Sequence, residues 1–277
     1  MQLLDALVVV LSCVSLARAA AIGDFLDGGL ADLMSQNTSA KVACKPFVST
    51  FPKSDVTQFP FSPFIGISPP DSYEATGNGL RMFLKKPKEP VIRQGHVNNV
   101  VGEGATINST FLLPHGKVTF EVKAPPIAGS VTAVILIADG RDEIDTEILG
   151  GDLRRWQTNV FAPSPKDQGP QYGLLSGKEG FISETDTIND FHNYTIDWNA
   201  TRIIWSVDGK PVRTLKPSQT RINDTEHYPT QAARIQLGIW DASTPEGTSE
   251  WAKGPIDWET APPTISAIVK RVQVECP

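Results

Sequence analysis

From Gly77 onward, hydrophobic and polar positions alternate over short runs, the period of a strand with one buried face. Leu80-Arg81-Met82-Phe83-Leu84 begins the series. Ala105 to Leu112 and Lys117 to Val122 follow, parted by the turn Pro114-His115-Gly116. Thr132 to Ala138 is apolar almost without a break, which fits a strand covered on both faces. The turn residues Asp139-Gly140-Arg141-Asp142 then lead into a strand beginning at Glu143, so this pair predicts a hairpin. In the second half His192 to Trp198 alternates, with Tyr194, Ile196 and Trp198 on one side. Asn199-Ala200-Thr201 turns the chain, Arg202 to Val207 returns, and Asp208-Gly209 turns it again into Pro211 to Leu215. Arg234 to Trp240 and Ile265 to Val274 complete the set. No segment holds a long helical period and none repeats. Many short strands joined by Gly, Pro and Asp turns predict an all-β sandwich or barrel. A sandwich can curve one sheet into a concave groove that holds a polymer. Two upstream stretches break the pattern. Phe47 to Ser72, rich in Pro, Phe and Ser, predicts irregular chain wrapping an edge, and the stretch before it a short leader, helical around Phe25 to Met34.

Composition adds boundaries. With 277 residues, 40% of them hydrophobic, the chain can bury one large core. The formal net charge of -6 comes without a basic block or stripe, which argues against nucleic acid as a partner. Leu3 to Leu16 is mostly apolar and Ala17-Arg18-Ala19 offers small residues for cleavage, so residues 1–19 read as a secretory signal. The run is short for a membrane span. The C-terminal Val274-Glu275-Cys276-Pro277 has no hydrophobic tail of the kind that precedes a lipid anchor. The expected organisation is a signal at 1–19, a leader at 20–45 and a single catalytic sandwich at 46–277, secreted, monomeric and free of the membrane after cleavage.

Cysteine usage agrees with secretion. Cys13 would leave with the signal, and Cys44 and Cys276 remain near the two ends of the mature chain. They are a candidate disulfide; two separate thiols are the alternative. Asn-x-Ser/Thr sequons begin at Asn37, Asn108, Asn193, Asn199 and Asn223, candidate glycosylation sites of a secreted eukaryotic protein.

The chemistry concentrates in Glu143-Ile144-Asp145-Thr146-Glu147. Side chains alternate along a strand, so Glu143, Asp145 and Glu147 share one face. Three acids together repel, and burying them unpaired is costly, so a purely structural strand has no reason to carry them. A solvated edge strand would tolerate them, but the preceding apolar run and the following Ile148-Leu149-Gly150-Gly151 place this strand centrally. Retaining glycosidases need this kind of arrangement, a carboxylate nucleophile and a carboxylic acid/base flanking the scissile bond.

The stretch Asp142 to Gly151, with Gln157-Thr158-Asn159-Val160-Phe161 after it, resembles glycoside hydrolase family 16, including its fungal Crh-like cell-wall transglycosylases. Phe191 to Trp198, Gly238-Ile239-Trp240-Asp241 and Glu250 to Trp258 add to the likeness, which runs from about Gly77 to Val274. The resemblance implies a concanavalin-like jelly roll and retaining double displacement. It maps Glu143 to the nucleophile, Asp145 to a helper and Glu147 to the acid/base. Thr146 departs from the apolar or aromatic residue commoner in the family. As it points away from the acids, its effect should fall on packing.

Gln157 and Asn159 alternate onto one face of the next strand and are candidate sugar contacts, as are Trp240 and Trp251 for stacking. Trp198, Trp205 and Trp258 read as core, Trp156 as undecided, and His192 as structural. No His/Cys cluster has catalytic-metal spacing, so no cofactor is expected. The fold class accommodates a structural calcium, yet no dense Asp/Asn loop announces one. The expected partner is a polysaccharide, β-1,3- or mixed-linkage glucan, with chitin as a further donor or acceptor. The leading expectation is a secreted retaining β-glycosidase, at the fungal wall by resemblance. A transglycosylase, a non-catalytic glucan-binding lectin and a structural wall protein are the alternatives.

Overall fold

The structure is a computed structural model and describes residues 43–167 and 173–277. The predicted signal, most of the leader, its helical stretch and the Asn37 sequon lie outside the described residues. The chain folds as two stacked antiparallel-dominated sheets of eight strands each, plus two short ribbons. The outer sheet runs, edge to edge, Lys210–Leu215, Ile203–Val207, His192–Trp198, Gly116–Lys123, Thr264–Glu275, Leu80–Lys85 and Tyr73–Ala75. Phe47–Ser49 also pairs with Thr264–Glu275. The inner sheet runs Gly177–Gly180, Arg155–Phe161, Glu143–Leu149, Ser130–Ala138, Ala233–Asp241, Ala105–Ser109, Phe64–Gly66 and Val56–Thr57.

The alternation seen in the sequence is the packing code. In Gly116–Lys123, Val118, Phe120 and Val122 are fully buried while the residues between them are not. Ala233–Asp241 buries Ile235, Leu237 and Ile239 in the same core. Between the sheets, Trp156, Trp198, Trp205, Tyr194 and Phe120 are closed from solvent. Burial of this kind contributes about 25 cal/mol per Å² of apolar surface. The Asp208-Gly209 turn has φ of 50° and 77°, the left-handed pair that a tight hairpin requires.

The expectation of irregular chain over Phe47–Ser72 is corrected. Three short strands lie within it, Phe47–Ser49, Val56–Thr57 and Phe64–Gly66, and each joins a sheet. Pro and Ser between them hid the alternation, since two- and three-residue strands carry no readable period. Thr132–Ala138 is largely covered on both faces, as expected: on the face away from the core Ile135 is buried and Ala133 and Ile137 are partly so, although the sheet is antiparallel. A one-and-a-half-turn helix, Glu246–Trp251, went unforeseen because it is too short to show a helical stripe. Among the described residues, no helix is long and apolar enough to cross a membrane.

Cys44 and Cys276 form a disulfide, with Cα atoms 5.7 Å apart and 232 residues of chain between them. The link ties the start of the described chain to the end of the central outer strand.

Candidate active site

The Glu143–Leu149 strand lies inside the inner sheet, between Ser130–Ala138 and Arg155–Phe161. Its even residues, Ile144, Thr146 and Ile148, are buried in the core. Its odd residues therefore face away from the core: Glu143 and Glu147 are partly exposed, and Asp145 between them is buried. The strand begins at a hairpin closed by the Asp142 carboxylate. Its Oδ2 accepts from the Thr230 and Gln231 main-chain N–H groups at 2.7 and 3.0 Å, and its Oδ1 from Gln231 Nε2 at 3.2 Å.

Strand pairing arranges the open face in rows. Glu143 lies opposite Phe161 and Ile137, and Ile137 opposite Arg234. Asp145 lies opposite Asn159. Glu147 lies opposite Gln157 and Ala133, followed by Gly238 and Thr106. Ala133 and Gly238 leave the sheet floor beside Glu147 without bulky side chains. Gln157 and Asn159 thus stand beside the acids as expected. Trp240 and Trp251 lie at the end of this face, rings stacked 6.1 Å apart at 19°, against an apolar cluster of Val131, Leu149, Ala242 and Ala252. Trp251 is delivered by the short helix.

Burial weakens all three acids, and their mutual charge sharpens the differences. Asp145 is raised well above the ordinary carboxylate range, first by burial and then by the charges of Glu143 and Glu147, while its hydrogen bond from Asn159 pulls the other way. Its Oδ1 meets no donor among the described residues, which suits a carboxyl that keeps its proton. Glu147 is raised from 4.5 to about 8 by burial and the charge of Glu143. Glu143 is raised by burial, but a hydrogen bond from Asp145 lowers it, so it ionises ahead of its neighbours. The arrangement can hold a carboxylate, a shared proton and a carboxylic acid in sequence along one strand.

Other candidates fall elsewhere. His192 is buried behind the outer sheet, its Nδ1 2.7 Å from Asp208 Oδ2 and its Nε2 3.1 Å from the Thr187 carbonyl, so it does not line the acids. It forms a cluster with Asp186 and Asp208 that has ligand atoms within 4.8 Å of one another. Trp156, Trp198, Trp205 and Trp258 are core residues. Asn193 and Asn223 are exposed, whereas Asn199 Oδ1 is engaged by its own turn. Asn108 lies on the open face and accepts a 2.9 Å hydrogen bond from Gln236. Arg234, Gln236 and Asn108 were missed as open-face residues. The alternation Arg234, Gln236, Gly238, Trp240 sets these residues on the face of Trp240 and is readable in the sequence.

The family model for glycosyl hydrolases family 16 matches residues 70–260. Crh-like protein 2 of Aspergillus fumigatus is 38% identical over 183 residues, 62% of this chain and 40% of that protein. Crh-like protein 5 of the same organism is 33% identical over 253 residues, 88% of this chain and 58% of that protein. This chain therefore spans about half the length of these relatives. Among solved structures, the apo form of Crh5 transglycosylase is 27% identical, covers 85% of each chain and superposes with a TM-score of 0.65. A Bacillus licheniformis beta-glucanase, at 17% identity, 84% of this chain, 99% of that one and a TM-score of 0.64, shares the fold.

Proposed function

This chain belongs to glycosyl hydrolases family 16, and on that premise we propose that it is a retaining transglycosylase that moves β-glucan-type chains onto a sugar acceptor. The observation that carries the chemistry is the single face bearing Glu143, Asp145 and Glu147 with graded acidities. Transfer is favoured over the initially expected hydrolysis by the likeness to Crh5 transglycosylase, which also exists as a complex with NAG.

In the first step a Glu143 carboxylate oxygen attacks the anomeric carbon. The glycosidic C–O bond breaks and the departing sugar oxygen takes the Glu147 proton, leaving a glycosyl ester on Glu143. In the second, an acceptor hydroxyl surrenders its proton to the Glu147 carboxylate as its oxygen attacks the same carbon, and Glu143 leaves as carboxylate. With its acidity set near 8, Glu147 still holds its proton at neutral pH and can serve as the acid. Asp145 donates to Glu143, keeping the nucleophile ionised beside it. Gln157, Asn159, Gln236 and the Trp240–Trp251 stack supply hydrogen bonds and apolar faces to the sugars. β-1,3-Glucan and chitin oligomers are the proposed donors and acceptors, outside the cell at a fungal wall. Hydrolysis uses the same intermediate with water as acceptor.

Defined β-1,3-glucan and chitin oligosaccharides, incubated singly and in pairs, test this reading by product length. Products longer than the input are expected. Only shorter products would return the assignment to a glycosidase, and no turnover by folded protein would leave a glucan-binding module.

A further inference from the structure

Asp145 keeps its ladder pairing with Asn159, and its carbonyl takes a further donor from the core. Pairing with Ser130–Ala138 holds at Ala133↔Glu147 and again at Leu136↔Ile144, and lapses between them at Asp145 and Thr146. The Asp145 carbonyl accepts a 2.9 Å hydrogen bond from Trp205 Nε1, which reaches it through the core from the outer sheet. Trp205 is itself fully buried.

The other face of Trp205 carries Arg213, whose guanidinium carbon stands 4.8 Å from the ring centroid. The same guanidinium reaches the neighbouring inner strand, donating to Thr158 Oγ1 at 2.6 Å and to the Thr158 carbonyl at 3.2 Å. It also donates to the Leu175 carbonyl at 2.6 Å. Thr158 lies opposite Thr146 and precedes Asn159, the donor to the Asp145 carboxyl. The contacts close a ring: Arg213, Trp205, Asp145, Asn159, Thr158 and back to Arg213. Asp145 is therefore gripped at its carbonyl and at its carboxyl by groups that end on one guanidinium in the other sheet. A carbonyl oxygen has two lone pairs, so the Asp145 oxygen serves both its ladder and the buried indole N–H, which would otherwise lack an acceptor.

We propose that Trp205 and Arg213 are positioning residues for the transfer reaction, setting the depth at which Asp145 stands between Glu143 and Glu147. This rests on the roles given to the three acids above. Without the indole N–H, the Asp145 main chain loses its hold from the core and the carboxyl moves relative to both glutamates. The carboxyl titrations then change, and kcat falls while KM, set by sugar contacts elsewhere on the open face, holds.

The test compares Trp205→Phe, which keeps an aromatic ring under Arg213 and removes the N–H, with Trp198→Phe. Trp198 is equally buried and donates its N–H to the Pro229 carbonyl at 3.2 Å, so it controls for lost packing and a lost buried hydrogen bond. The readouts are carboxyl titrations by 13C NMR of labelled Glu and Asp, and the pH profile of kcat. Trp205→Phe is expected to move at least one of the three site titrations by half a pH unit or more and to lower kcat about tenfold with KM within twofold. Trp198→Phe is expected to move neither. Unmoved titrations in Trp205→Phe, or equal movement in both variants, would overturn the proposal. Should Trp205→Phe fail to fold, Arg213→Met is read by the same criteria. The NMR arm needs no turnover, so inactive wild-type protein would count against the transglycosylase reading without deciding this one.

Discussion

A carboxyl that resists ionisation favours whichever state of the chain leaves it protonated. For Glu147 that state is the folded one. Its pKa rises from 4.5 to about 8, so the stability it contributes is complete below about 4.5 and is lost as pH climbs to about 8. Glu147→Gln removes this dependence. Its melting temperature is expected to vary less than that of wild type between these limits and to exceed it at the alkaline end, as thermal unfolding in matched buffers will show. The alkaline limb of the activity profile, near pH 8 in wild type, should vanish in the residual activity of the same variant. On the proposed mechanism Glu143→Gln cannot form the glycosyl ester, and its turnover is expected to fall at least about a thousandfold with the fold intact. Thr146 offers the opposite kind of test. Its hydroxyl is buried without a partner among the described residues. Thr146→Val keeps the shape and removes the orphan, so a gain of about 1 kcal/mol is expected from urea unfolding.

At the scale of the element, the acid-bearing hairpin depends on a side chain that no strand pattern singles out. Asp142 precedes Glu143 and accepts three hydrogen bonds from Thr230 and Gln231, residues distant in sequence. Asp142→Ala leaves those donors unpaired at a buried corner, and a loss of about 2–4 kcal/mol is expected by urea unfolding. The acid-bearing strand itself was legible. Period-two alternation put Glu143, Asp145 and Glu147 on one face, and the inner-sheet register bears that out. Gln157 and Asn159 were placed beside them by the same rule. Legibility failed where elements are shorter than their own period, as in Phe47–Ser49, Val56–Thr57 and helix Glu246–Trp251. It failed also for Trp205, since an indole closed in the core looks the same in sequence whether its N–H meets a loop carbonyl or the carbonyl of Asp145.

Across the whole molecule, the two sheets are joined by their core and the chain ends by one disulfide. The cross-link constrains an unfolded loop of more than two hundred residues, worth about 5 kcal/mol in the chain-entropy model. Cys276→Ser is expected to lose about 3–5 kcal/mol, read as a melting point lower by roughly 10 °C. The link borders the outer sheet, away from the acids, so activity at 25 °C should survive. By itself the sequence determined the all-β class, the acidic face and its neighbours Gln157 and Asn159, because side-chain alternation is a local property of an extended backbone. The tertiary structure alone decided which strands adjoin, that Cys44 meets Cys276, and that Trp205 and Arg213 stand behind Asp145. It also decided the unequal acidities of the three carboxyls. Desolvation and through-space charge depend on everything that surrounds a group, and most of what surrounds these groups is remote along the chain.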